Sequence, residues 1–254
     1  MSAYAYLHPM DLATHERRSD GGGVEEGADP DELAAVRAAL GGDLGARLRI
    51  GARALRKILA DPNDTKQVFT LFLTMNARHI PRFLTRFVTE PGGVELLAER
   101  PAIDSRTVDF AALARLSEDT LGGAFARHLS SRGLSPDIFR APPGIPPALA
   151  YLGQRMRQSH DIWHVLAGYD TTVDDELALL AFSYGQSGMP GPAVLAVLGG
   201  LRWLPRHPGV FRKILDGYRR GKAARSLITA RWEAMWHEPL AAVRERFGIR
   251  PRAA

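Results

Sequence analysis

From Asp31 onward the apolar residues recur at helical spacing, with Pro and Gly as punctuation, and few stretches show the alternating Val, Ile, Thr or Tyr of a strand. The pattern predicts helices over Ala35 to Leu40, Arg47 to Leu59, Thr65 to Arg78, Arg82 to Val88, Phe110 to Arg115 and Leu121 to Leu129. A Pro-rich connector, Ala141 to Pro147, then leads into a long helix that carries His160 and His164. The expected class is all-α, one compact helical domain over residues 31–250. Ahead of it, Met1 to about Pro30 is rich in Gly and acid around Gly21-Gly22-Gly23 and reads as a disordered tail with no assigned function.

Leu177 to Leu201 contains no charge, and its 25 residues would suffice in number to cross a bilayer. Gly185 to Pro192 interrupts it, so the expectation is two short helices: a buried hairpin, or a hairpin lining an apolar channel or touching a membrane. The charge then reverses. Arg202, Arg206, Arg212, Lys213, Arg219, Arg220, Lys222 and Arg225 face the single acid Asp216, within a chain of net charge +5. Such a run is either a solvated face or a surface drawn to anionic lipid. No helix-turn-helix, zinc finger or ribonucleoprotein motif accompanies it, so a nucleic-acid partner is not expected.

Composition adds exclusions. The chain of 254 residues is 45% apolar and 24% charged, ordinary for a globular protein. It has no cysteine, which rules out disulfides, thiolate metal sites and a cysteine nucleophile, and fits a reducing compartment. Gly-x-Gly-x-x-Gly, Gly-x-x-x-x-Gly-Lys-Ser/Thr and Gly-x-Ser-x-Gly are all absent.

The candidate chemistry is His160-Asp161-Ile162-Trp163-His164 with Glu176 downstream. On a helix His160 and His164 share a face, and Asp161 lies about 100° round the axis. The turn-forming Gly168-Tyr169-Asp170-Thr171-Thr172 lets Glu176 open the next helix and fold back toward them. Two imidazoles and one or two carboxylates suit zinc, iron(II) or manganese better than calcium. The competing reading makes Glu176 a first-turn acid and the histidines hydrogen-bonded core residues. Arg157 lies on the histidine face and is the candidate catalytic residue, a guanidinium able to fork a substrate carboxylate. Arg155 falls off that face; for both arginines a surface charge or a helix-bracing ion pair is the alternative, and Trp163, Trp232 and Trp236 read as core.

His-Asp-x-x-His with Glu at this distance resembles the signature of the coenzyme Q biosynthesis protein four family. The resemblance extends over about residues 50–249. Asp61-Pro62-Asn63-Asp64-Thr65 through Val68-Phe69, Arg100-Pro101-Ala102-Ile103, Leu116 to Gly122 and Gln154 to Arg157 are similar to family blocks upstream. Gln186-Ser187-Gly188-Met189-Pro190, Gly221, Trp232-Glu233, Val243-Arg244 and Gly248-Ile249 are similar to those downstream. The chain departs from the pattern at Asp175, where Gly is common, and at Leu180 and Ser183, where Lys and Glu are frequent.

The resemblance implies a divalent metal, zinc with iron or manganese as alternatives, on His160, Asp161, His164 and Glu176. It implies ubiquinone biosynthesis beside other proteins of that route, acting on a polyprenylated benzoquinone precursor by oxidative decarboxylation at ring C1. The alternative is a non-catalytic lipid-binding scaffold that presents such intermediates to other enzymes. No Arg-rich presequence precedes the domain, so the expected location is a bacterial cytoplasm, peripheral to the inner membrane, with a homo-oligomer possible.

Overall fold

The computed structural model describes residues 34–35, 37–38, 41–60, 65–137 and 145–250. The tail expected over Met1 to Pro30 lies outside the described residues, as do parts of the Ala35 to Leu40 helix and of the Ala141 to Pro147 connector. What is described is all-α: the one β feature among the described residues is an isolated bridge between Thr120 and Pro239. The chain divides into two compact units, one made chiefly of residues up to Arg78 and the other chiefly of residues from His79 onward.

In the first unit α1 (Leu44–Ala60) and α2 (Thr65–Asn76) form an antiparallel pair. Arg47 Nε donates to Thr74 O at 3.2 Å, and the buried Thr74 hydroxyl turns back onto Thr70 O at 2.9 Å, so neither polar group is stranded inside.

The second unit contains α3 (Ile80–Thr89), α4 (Gly93–Glu99), α5 (Phe110–Ala114), α6 (Leu121–Ser131), α7 (Pro147–Ala167), α8 (Val173–Ser187), α9 (Pro190–Trp203), α10 (Val210–Ala223) and α11 (Leu240–Phe247). Side chains start several of them. Asp109 accepts from Ala112 N at 2.8 Å to cap α5, Thr120 accepts from Gly123 N at 3.1 Å to cap α6, and Pro147 supplies the preset φ for the first turn of α7. The core is aromatic and built around α7. Trp163 meets Phe182 edge-on at 6.1 Å, Phe125 stacks on Trp236 at 5.6 Å, and the buried Trp232 donates from Nε1 to Ser159 Oγ at 2.9 Å. The core reading of all three tryptophans holds.

The end of α7 is fixed from three sides. Gly168 takes the left-handed conformation at φ 70°, which a side chain would resist, and its N–H returns to His164 O at 2.9 Å. Arg244 donates to Leu166 O at 3.0 Å and Val165 O at 2.9 Å, and Arg220 to Ala167 O at 2.7 Å. The terminal carbonyls that no helix can satisfy internally are thereby bonded. The chain leaves α7 at a set angle and re-enters α8 with Glu176 in its first turn.

The uncharged stretch is two helices, as its Gly and Pro residues require. α8 ends at Ser187, Gly188 reverses the chain at φ 69°, and Pro190 opens α9. The arms differ. Leu177 to Phe182 of α8 are buried, whereas α9 and the turn after it expose Val197, Leu198, Leu201 and Leu204 at 45, 37, 57 and 40%. No helix among the described residues is long and apolar enough to cross a membrane.

α10, read from sequence only as part of a basic run, packs on α8 through glycine. A Cβ on Gly217 would sit 2.1 Å from Ala178 O, and one on Gly221 2.3 Å from Phe182 O, both rigid backbone atoms. Gly217→Ala is therefore expected to cost about 1–3 kcal/mol, the range for overpacking a close contact, as a lowered denaturation midpoint. Gly45→Ala, in α1 with no neighbour nearer than 3.5 Å, is expected to be neutral or slightly stabilising.

Candidate metal centre

His160, Asp161 and His164 project from the last two turns of α7, and Glu176 comes from the first turn of α8. The first three offer ligand-type atoms that lie within 4.8 Å of one another. Glu176 closes the cluster: its Oε2 stands 3.6 Å from His160 Nε2 and its Oε1 3.3 Å from His164 Nε2. The helical face and the turn chemistry thus bring together the side chains that spacing singled out.

These contacts are within ion-pair distance, yet none is aligned as a hydrogen bond. His160 Nε2, His164 Nε2 and both oxygens of Glu176 are buried with no hydrogen-bond partner among the described residues. The reason lies in the donor set. His164 Nδ1 lies 3.2 Å from Tyr169 O, and a carbonyl only accepts, so Nδ1 carries the proton and the neutral ring turns its Nε2 lone pair toward Glu176. A lone pair facing a carboxylate inside a protein is repulsive unless a positive charge lies between them. A proton is one such charge. Burial, the largest single influence, pushes the His164 imidazole down, but Glu176, Asp161 and the Tyr169 carbonyl together outweigh it and the ring titrates above its ordinary range. Burial alone would raise the Glu176 carboxyl; the two imidazoles reverse this and hold it well below the carboxylate range. His160, where burial dominates, is held below the histidine range. A divalent cation satisfies the same atoms without a proton, and two imidazole nitrogens with carboxylate oxygens form a donor set that zinc, iron(II) or manganese accepts. The residues present fit such a metal.

Around the cluster the chain fixes orientation. Arg157 Nη1 donates to Asp161 Oδ2 at 3.0 Å, one turn along α7, so the arginine singled out for a substrate carboxylate also holds Asp161. Arg157 and Asp161 line a cavity of about 10 Å³ with Ile103, Phe125 and Pro136, room for about one water. Asp175, the residue where glycine is common, braces its surroundings. Its Oδ2 accepts from Asp170 N at 3.1 Å and its Oδ1 lies 3.5 Å from Lys213 Nζ. Arg155 is buried, forks onto both oxygens of Glu233 and donates to Ala230 O at 2.7 Å, bracing α7 rather than forming a surface charge.

His128 of α6 was not legible in the sequence. Its ring stacks on His164 at 5.1 Å between centroids, and its Nε2 is buried without a hydrogen-bond partner among the described residues. Burial, then the His164 charge, lowers its imidazole to about 3. It belongs to no motif and reaches the site only through packing of α6 on α7, so no spacing signal announces it.

A sequence profile for the coenzyme Q (ubiquinone) biosynthesis protein Coq4 matches residues 46–253. The chain belongs to the Coq4 family. It is 32% identical over 194 residues to the mitochondrial ubiquinone biosynthesis protein COQ4 of Laccaria bicolor, covering 75% of this chain and 65% of that relative. The chain therefore spans just under two thirds of that relative's length. It is 30% identical over 209 residues to the mitochondrial COQ4 homolog of Rattus norvegicus, 81% of this chain and 78% of the relative. The fold is similar to the crystal structure of a proposed ubiquinone biosynthesis protein from Nostoc punctiforme, with a TM-score of 0.65, 28% identity and coverage of 78% of this chain and 96% of that one. Membership in Coq4 places the chain among ubiquinone biosynthesis proteins.

Proposed function

We propose that this Coq4 protein binds one divalent metal through His160, Asp161, His164 and Glu176 and catalyses oxidative decarboxylation at ring C1 of a polyprenylated hydroxybenzoate. The observation that supports this reading is the set of buried, unpartnered nitrogen and oxygen atoms on His160, His164 and Glu176 that face one another. Burying such atoms unpaired costs free energy, and a Coq4 chain that retains them has use for what pairs them. When bound, a divalent cation supplies Lewis-acid stabilisation of charge developing on the carboxylate or ring oxygens, and a redox-active one also a path for electrons. In the reaction the C1–carboxyl bond breaks and carbon dioxide leaves, the oxygen of a water molecule forms the new C1–oxygen bond, and dioxygen takes the two electrons the ring gives up and leaves, with two protons, as hydrogen peroxide.

The chain's own contribution is orientation and exclusion of water. Arg157 forks the substrate carboxylate from the cleft side while its other contact holds Asp161. Ile103 and Phe125 give the small cavity beside Arg157 and Asp161 an apolar side, which limits water there. The test is carbon dioxide release under air from a carboxyl-labelled polyprenyl hydroxybenzoate. Metal-loaded protein is expected to release label and chelator-stripped protein is not; binding without release in both would favour the scaffold alternative.

The substrate's tail calls for a lipid source, and the proposed partner surface is an anionic bilayer, reached in a bacterial cell at the inner membrane. Val197, Leu198, Leu201 and Leu204 are exposed at helical spacing, and Arg202, Arg206 and Arg212, close to them in sequence, are exposed as well. Other members of the basic run hold the fold together. Lys213 pairs with Asp174 at 3.0 Å, Arg220 holds the end of α7, and Arg225 donates to Arg246 O at 3.0 Å. Replacing Arg202, Arg206 and Arg212 with Glu is therefore expected to abolish flotation with anionic liposomes at low salt while sparing turnover of a short-tailed analogue. At 1 M salt, where the Debye length falls to about 3 Å, the parent is expected to float less as well. Unchanged flotation of the triple variant would remove the membrane from the account.

A further inference from the structure

We propose that His128 is a positioning residue of the metal centre, its Nε2 hydrogen-bonding an oxygen of the aryl carboxylate held there; this rests on the metal-site reading above. Three observations carry it. His128 sits on the buried face of α6, only 7% exposed, although histidine is costly to seal off without partners. Its ring lies against His164 at 5.1 Å between centroids and 27° between planes, so it stands beside the cluster rather than elsewhere in the core. Its Nε2 is buried with no hydrogen-bond partner among the described residues, as are His160 Nε2, His164 Nε2 and both Glu176 oxygens beside it.

The division of labour follows from number and placement. The α7 and α8 motif already contributes four side chains, which on a cation that takes five or six ligands leaves a position for an incoming oxygen. A fifth buried polar side chain, packed on His164 from another helix, is then left for what the centre takes in. An imidazole nitrogen can donate to a carboxylate or accept from a phenol or water, so it suits an oxygen-bearing ligand in any of these states. Sealing this nitrogen away from every partner among the described residues costs free energy that an oxygen of a bound ligand would recover. His128 reaches the ligand from α6, whereas Arg157 reaches it from α7, so the two hold it from different helices.

The test uses full-length protein loaded with cobalt(II), whose visible spectrum reports on its surroundings, and 4-hydroxybenzoate as the probe. The parent, His128→Phe, His128→Ala and His128→Gln are compared for cobalt bound per chain, thermal midpoint and affinity for the probe. All four are expected to hold cobalt equally. Affinity for 4-hydroxybenzoate is expected to fall about tenfold in the Phe and Ala variants, the loss of one hydrogen bond to a charged group, and to recover in Gln, whose amide nitrogen takes the Nε2 position. If one removal variant does not fold, the other and the Gln comparison decide. Unchanged probe affinity in folded variants, no recovery in Gln, or loss of cobalt from the His128 variants would each overturn the assignment. A parent that takes up no cobalt would instead overturn the metal-site reading beneath it, so the two failures are told apart by the first measurement.

Discussion

His164→Ala and Glu176→Gln will each weaken divalent-metal affinity by more than the roughly 10–100-fold loss that follows when a group one shell beyond the ligands is removed. His164 Nε2 and Glu176 Oε1 are 3.3 Å apart, and each is the other's nearest compensating group, so neither can be removed without leaving the remaining atoms short of charge. Glu176→Gln keeps the shape of the side chain and removes its charge. If Glu176 served only the dipole of α8, the change would cost under about 1 kcal/mol of stability and leave metal affinity alone. Trp163→Phe is the control: position 163 lies between the ligands in sequence but packs against Phe182, and it is expected to retain metal. Competition against a chelator of known affinity gives the readout. Equal affinity in the parent, His164→Ala and Glu176→Gln would refute the ligand assignment.

The largest expected effect on stability lies at Arg155 and Glu233. The guanidinium is 1% exposed, and its charge is matched by the forked contact with Glu233 and by Ala230 O at 2.7 Å. Glu233→Ala strands a buried cation, and breaking one side of such a pair costs about 3–5 kcal/mol. The double replacement Arg155→Met with Glu233→Leu removes the stranded charge and is expected to recover most of that loss. Chemical denaturation measures both, and the slope against denaturant should stay constant if the native state is otherwise intact. A Glu233→Ala protein within about 1 kcal/mol of the parent would mean that water reaches Arg155 and that the pair is only a surface contact.

These predictions draw unequally on sequence and structure. The helices with clear apolar periodicity were legible, among them Leu44–Ala60, Thr65–Asn76, Ile80–Thr89 and Leu121–Ser131, because one buried face writes itself into the chain every three or four residues. The convergence of His160, Asp161, His164 and Glu176 was legible for a similar reason: a helix fixes the first three, and Gly168 begins a turn too short to carry Glu176 away. Helices at Gly93–Glu99 and Val210–Ala223 were not. The first is short and begins with glycine; in the second, Gly217 and Gly221 are poor helix formers whose value lies in close approach to α8, which only packing reveals.

The remaining gaps are long-range. Nothing in the spacing of Arg155 and Glu233 indicates that they pair, and nothing near His128 connects it with His164. The basic run was legible as charge but not as structure, since Lys213, Arg220 and Arg225 bond to carboxylates and carbonyls of other segments, which spacing does not show. The uncharged stretch was legible as two helices, while the contrast between its buried first arm and its exposed second arm depended on what packs against each.

The central claim is that this site performs chemistry on the ring rather than only holding a lipid, and product analysis with ring-labelled polyprenyl hydroxybenzoate tests it most directly. Metal-loaded parent protein under air is expected to yield carbon dioxide and a ring hydroxylated at the carbon that lost its carboxyl group, in equal amounts, with neither product formed when dioxygen or metal is withheld. Recovery of the labelled substrate unchanged from metal-loaded protein that demonstrably binds it would contradict the account and leave a carrier of polyprenyl intermediates in its place.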